Sequence, residues 1–235
     1  MVGALSFACA GTAHGAAPAQ KVSAIQAHQT HFFIGDTVLT ASLTGMRLES
    51  VGRFGFVLVS RAPQWNVYVF RNDDKTYFGA PLKTFLESGL FSGFLFNLKD
   101  HEVMHKKPAF DVEVAGIAAK RAGTLRRHLD YLPLQNIAAP QVEEIIYATY
   151  KLPTNHGLPL AFLDVGHDTD WVSGADTRGK REVGLSTSKA ARIFVSSDIF
   201  DVPAGYRKAK SFREVVSGQS SRDESKDFQD MFEIK

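Results

Sequence analysis

Between Gly55 and Phe78 the chain reads GFVLVSRAPQWNVYVFRNDDKTYF, two adjacent runs of strand-forming residues that carry apolar side chains on both alternating faces. A strand needs only one apolar face to border a core, because successive side chains point to opposite sides. The second face therefore needs a cover of its own: a helix, a second sheet, a membrane or an apolar ligand. Pro63 lacks a backbone donor and divides the two runs, so strands are expected from about Phe54 to Arg61 and from Trp65 onward. Asn72-Asp73-Asp74 supplies a hairpin turn before Lys75-Thr76-Tyr77-Phe78.

The remaining chain is long enough, at 235 residues, to bury a large core in one domain. Hydrophobic residues form 44% and charged residues 22%, which excludes disorder of the whole chain. The formal net charge of +2 is the residue of nearly balanced signs and gives no reason to expect a nucleic-acid partner. Residues 1–21 are small, apolar and alanine-rich, with no charge before Lys21, and read as the end of a secretory signal peptide or a flexible leader. Export to the periplasm or beyond is the expectation from this leader. Cys9 is the single cysteine, so an intramolecular disulfide is impossible. The domain boundaries expected are a leader at 1–21, one β-rich domain at 22–217 and a polar, flexible or docking tail at 218–235.

Val22 to Glu49 is β-like, with HFFIGD as a turn and alternation in TVLTASLTGMRLES. Pro81 opens a short helix through Leu82, Phe85 and Leu86, since proline is tolerated in a first turn. The aromatic run GLFSGFLFNL follows and needs a surface to pack against. FDVEVAGI predicts a strand through Phe110, Val112 and Val114, while Ala118 to Tyr131 fits either a turn with a strand or a short helix. Val142 to Tyr150 is rich in strand formers and predicts a strand. Leu158 to Leu163 continues the core. A polar loop beginning at Gly166 precedes two further strands, Glu182 to Ser186 and Ala190 to Ser196, and proline and glycine place a tight turn at Asp201 to Tyr206.

Asp164, His167, Asp168 and Asp170 are the best enzyme-like grouping, carboxylates and imidazole able to hold zinc or manganese and activate water. Their spacing matches no specific metal signature, and a solvated acidic loop is the favoured reading. His101 and His105 are four apart. The chain contains no GxSxG elbow, HExxH helix, phosphate loop, dinucleotide fingerprint or paired-cysteine zinc site, and no catalytic residue or cofactor is assigned. Basic pairs at Lys106-Lys107 and Arg126-Arg127 form a solvated rim or a contact for anionic lipid heads.

The pieces GMRLES (45–50), APQWNVYVFRNDDKTYF (62–78), EEIIYATYKLP (143–153) and DIFDVPAGYRKAKSFREVV (198–216) together resemble the LolA-like family of exported lipoprotein and lipid carriers. The resemblance spans most of Val22 to Val216 and is diffuse. It implies an α+β fold with a large curved antiparallel sheet partly wrapped around short helices, the last quoted piece being a strand and turn. It also implies an apolar concavity walled by Trp65, Val67, Val69 and Tyr77 of the sheet and by Phe85, Leu86, Phe91, Phe94 and Phe96 of a lid. Lys106, Lys107, Arg126 and Arg127 would then orient an anionic head group, and the partners would be an apolar small molecule or lipid, with a membrane surface or lipoprotein beside it. The rival readings are a structural or protein-interaction domain with a filled core and a metal-dependent hydrolase centred on the acidic loop.

Overall fold

The computed structural model describes residues 20–52, 54–91, 109–165 and 181–218. The first six strands follow one another as an antiparallel meander: β1 (Lys21–His31), β2 (Gly35–Ser42), β3 (Gly45–Ser50), β4 (Phe56–Arg61), β5 (Val67–Arg71) and β6 (Thr76–Ala80). Helix α1 (Leu82–Ser88) starts behind Pro81, which caps it as the sequence predicts. Then come β7 (Phe110–Val114), β8 (Ile117–Gly123), β9 (Arg127–Pro133), α2 (Pro140–Tyr150), β10 (Gly157–Val165) and β11 (Arg181–Ser196). A 3-10 turn (Ser197–Phe200), the two-residue β12 (Arg207–Lys208) and α3 (Phe212–Ser217) close the described chain.

All twelve strands of the described residues belong to one sheet in the order β12-β6-β5-β4-β3-β2-β1-β11-β10-β9-β8-β7. The fold is mixed α+β, but the curved, LolA-like sheet wrapped around its helices is overturned. The sheet is open, with β12 and β7 at opposite edges, and β12 joins β6 in parallel rather than antiparallel fashion. Consecutive hairpins propagate the sheet outward from β1 on one side, whereas β11 starts the second arm on the other, so the two ends never meet.

Register explains the two apolar faces of the Gly55 to Phe78 stretch. Ala27, Leu39, Leu48, Leu58, Val69 and Phe78 lie opposite one another across six strands and form one row of the main core. The alternate parity places Val57, Phe70 and Tyr77 in one row on the other face, and Arg47, Val59, Tyr68 and Gly79 in the next. That face has its own small cluster, Val57, Val59 and Phe70, covered by Val202 and Tyr206 of the loop ahead of β12. The cover is thus a segment of the same chain, more than a hundred residues away in sequence.

The sequence expectation fails at 142–150, where a helix replaces the predicted strand. Val142, Ile145, Ile146, Thr149 and Tyr150 are buried at helical spacing, and Pro140 occupies the first turn, where its missing N–H costs nothing. The β-branched composition is outweighed by this stripe, which seats α2 in the core. A second difference lies in β11, one strand of 16 residues rather than two. It pairs with β1 from Leu185 to Ser196 and with β10 only from Arg181 to Leu185.

The piece ending at Val216 also departs from the implied strand and turn, since it finishes in α3. Ser211 Oγ accepts from the Glu214 amide at 3.2 Å, and the Glu214 carboxylate accepts from the Lys210 amide at 2.8 Å, satisfying two donors at the helix start. Phe212 then meets Phe78 and Phe85 edge-on at centroid distances of 4.8 and 5.4 Å. Arg71 locks this helix to the sheet: it donates to the Phe54 carbonyl at 2.5 Å and the Val216 carbonyl at 3.4 Å, while gripping Asp73 through two nitrogens. The Arg71 side chain holds the Asp73 carboxyl below the usual carboxylate range.

Candidate functional site: a charged apolar cleft beside α2

The residues expected to wall a ligand cavity mostly close the core instead. Trp65, Val67, Val69 and Phe85 are buried in the main cluster, and Leu86 and Phe91 pack against it partly buried. Phe91 sits among Phe33, Phe54 and Phe56 at centroid distances of 5.1, 5.4 and 6.3 Å, so this aromatic side chain serves the core. Tyr77 faces the opposite side of the sheet. Phe94, Phe96, Lys106, Lys107, His101 and His105 lie outside the described residues, as do His167, Asp168 and Asp170.

Open space lies elsewhere on the core side, where the ends of β9, β10 and β11 meet the chain leaving α2. This cleft of about 550 Å³ has apolar walls from Phe32, Leu152, Pro153, Phe162 and Val183, with Arg127, Lys151, Asp164 and Glu182 among them. Phe32 and Val183 are 52% and 50% exposed, so apolar surface stands open to water at the mouth. Arg127, one of the expected head-group contacts, reaches the cleft, whereas Arg126 does not line it. Arg127 pairs with Asp164 at 3.1 Å and lies 5.7 Å from the Phe162 ring centre, engaging both a carboxylate and an aromatic face. Asp164 is thereby placed in an ion pair.

Lys151 was not singled out by sequence reasoning, and nothing in its neighbourhood of sequence marks it. It caps α2 in the left-handed conformation, with φ 54° and ψ 35°, and its amide donates to the Tyr147 carbonyl at 2.9 Å. That backbone turn aims its side chain toward the C-terminus of α1: a methyl group on Gly89 would sit 3.1 Å from Lys151 Nζ and 3.1 Å from the Ala148 carbonyl. Two helix C-termini, each carrying partial negative charge, therefore approach the same ammonium. Burial pushes the Lys151 amine below the usual lysine range.

The floor behind the cleft is a closed polar network. Tyr150 donates to Gln29 Oε1 at 2.9 Å, so the Thr37 hydroxyl, 3.1 Å away, donates to the Tyr150 oxygen. Gln29 spends its amide on the Pro159 carbonyl at 2.9 Å and Thr187 Oγ1 at 3.1 Å, and Thr187 donates onward to the Leu160 carbonyl at 2.5 Å. Burial pushes the Tyr150 phenol above its ordinary range, with the Thr37 bond acting in the other direction.

His31 stacks on Tyr150 at 4.8 Å and joins the same assembly. Its Nδ1 accepts from the Phe33 and Ile34 amides at 3.2 and 3.1 Å, which leaves Nε2 to donate to the Tyr150 carbonyl at 3.0 Å. Burial lowers its pKa to about 4, against a smaller raising effect of the Tyr150 carbonyl, so the ring is neutral at pH 7. This network fixes the end of α2 and with it the position of Lys151. Chemically, the arrangement offers apolar walls with the Arg127–Asp164 ion pair, Lys151 and Glu182 set into them.

No protein-family model matches the chain, and no curated protein matches its sequence. A search of solved structures finds a loose likeness to the crystal structure of an uncharacterized conserved protein from Thermus thermophilus. The identity is 11%, the TM-score 0.39, and the likeness covers 79% of this chain and 89% of that one, too loose to carry fold or function across.

Proposed function

We propose that the chain is a binding protein for an amphipathic anion, an apolar body such as an acyl chain ending in a carboxylate, and that the cleft beside α2 holds it. The observation that carries this reading is Lys151: this half-buried lysine lines the cleft beside Leu152 and Pro153, and its ammonium has no carboxylate within ion-pairing distance among the described residues. An incoming carboxylate would supply the missing counter-charge. Each methylene drawn from water onto Phe32, Leu152 and Val183 would contribute about 0.8 kcal/mol. A volume of about 550 Å³ also suits a small-molecule site.

The filled-scaffold reading draws on a different observation, the burial of Trp65, Val67, Val69 and Phe85. It places no ligand anywhere in the core. Calorimetric titration with decanoate separates the two readings. The binding reading expects saturable uptake, weakened about tenfold in Lys151→Met, whose apolar chain preserves the wall and removes the charge. Absence of uptake, or equal affinity in the variant, sinks it.

A further inference from the structure

The second face of the sheet carries a separate concavity, about 500 Å³, lined by Gln64, Asn66, Tyr68, Tyr77, Asp201 and Tyr206 among others. We propose that this groove is a binding site for a neutral saccharide of one or two rings.

The floor is an aromatic platform created by a glycine. Tyr68 and Gly79 are direct partners across β5 and β6, and a methyl group on Gly79 would collide with Cδ1 and Cε1 of the Tyr68 ring. The ring thus lies down over the neighbouring backbone instead of standing clear of the sheet. Only a residue without a side chain permits this. Tyr68 remains half-buried, so part of its surface is left to the groove. Tyr206 forms the far wall, held edge-on against Phe70 at 5.5 Å and donating to Asn72 Oδ1 at 2.9 Å.

The polar groups come from a strained turn. Trp65 has φ 54°, an unusual conformation for a bulky aromatic residue, and its amide donates to the Arg61 carbonyl at 2.9 Å. The turn sends the Trp65 ring into the core while its neighbours Gln64 and Asn66 line the groove. Strain of this kind persists where the surrounding structure holds it, and it recurs at ligand clamps. Gln64 and Asn66 each bring a donor and an acceptor, the complement of vicinal hydroxyls. Neither amide has a side-chain hydrogen-bond partner among the described residues.

Charge decides the ligand class. Arg61 and Asp201 are the two ionised residues of the groove, and they pair with each other, leaving no net charge. A phosphate or carboxylate would find no free cation there. A molecule with an apolar flat face, many hydroxyls and no charge fits the platform, the amides and the neutrality together, and a pyranose ring has all three properties.

Saturation-transfer NMR of the full chain with glucose, galactose, N-acetylglucosamine and their disaccharides tests this. The expectation is saturation of at least one of these sugars, concentrated on the protons of one ring face. Tyr68→Ala and Gly79→Ala should each weaken it about tenfold, the first by removing the platform and the second by tilting it. Asn66→Ala, at the partly exposed turn, gives the same readout with the platform intact, and should lose affinity while retaining the near-ultraviolet dichroism of the parent. Lys189→Ala, on the exposed side of β11, should bind as the parent does. Lack of saturation by every sugar, or parent-like affinity in both Asn66→Ala and Tyr68→Ala, overturns the proposal.

Discussion

The arm from β4 to β6 and the arm from β9 to β11 belong to one sheet, yet they treat their surfaces in opposite ways. In the first arm the core face is closed by α1 and α3, and on the other face Val202 and Tyr206 pack over Val57, Val59 and Phe70 and leave a mostly uncharged groove beside Tyr68 and Tyr77. In the second, apolar side chains such as Phe32 and Val183 border an open cleft with charges set among them. Continuous apolar sequence thus marks the well-packed arm. The open cleft on the core side occurs where the pattern is broken by arginine, lysine and carboxylates.

The largest effect that would break this contrast comes from Phe85→Ala. Phe85 is 0% exposed and packs on Phe212, so truncation should cost about 4 kcal/mol in urea unfolding. A loss under about 1 kcal/mol would mean that the first arm is not filled.

Acid should act next, at His31 of β1, which pairs with Leu185 at the edge of the second arm. Folded His31 has its pKa lowered from 6.5 to about 4, so between those values the unfolded chain binds a proton that the folded chain refuses. Its contribution to stability is complete above pH 6.5, declines as pH falls, and is lost below about pH 4, amounting to about 3 kcal/mol. Urea midpoints of the parent and His31→Gln across this window should differ in slope; parallel curves would remove His31 from the account.

Tyr206→Ala should have the smallest effect, about 1–2 kcal/mol, because it strips one edge-on ring from a partly exposed cover. If it costs as much as Phe85→Ala, the two faces of the first arm are equally essential and the contrast sharpens. Hydrogen exchange at Val57 and Val59 would show whether that face opens locally.

How much of this was legible in the sequence depends on how local the cause is. The β4 to β6 strands, the Asn72 to Asp74 turn and the Pro81 helix start all follow from neighbouring residues, and they appear near the predicted places. Helix α2 was hidden because Val142, Ile145, Ile146 and Thr149 favour strands by type while their spacing builds a helical face. The cleft was less accessible still. Phe32, Arg127, Lys151, Phe162 and Val183 come from five separate segments, and only sheet register brings them together. The resemblance implies Trp65, Val67 and Val69 as ligand walls, yet they are buried in the core, and apolar alternation reads the same in a filled interior as in a lined one.

The unequal pairing of β11 has a consequence for how the chain keeps to itself. From Ser186 to Ser196 its backbone is bonded to β1 along one side, and among the described residues no strand is paired along the other. Such a row of unspent donors and acceptors is a template on which a second chain can add as a strand. Phe194, 78% exposed, makes that template adhesive, while Lys189 and Arg192 place like charges on it and the register shift at His28/Gln29 disturbs its flatness. Crowding two copies edge to edge along this strand would bring those cations together, so Lys189 and Arg192 oppose the very pairing that Phe194 invites.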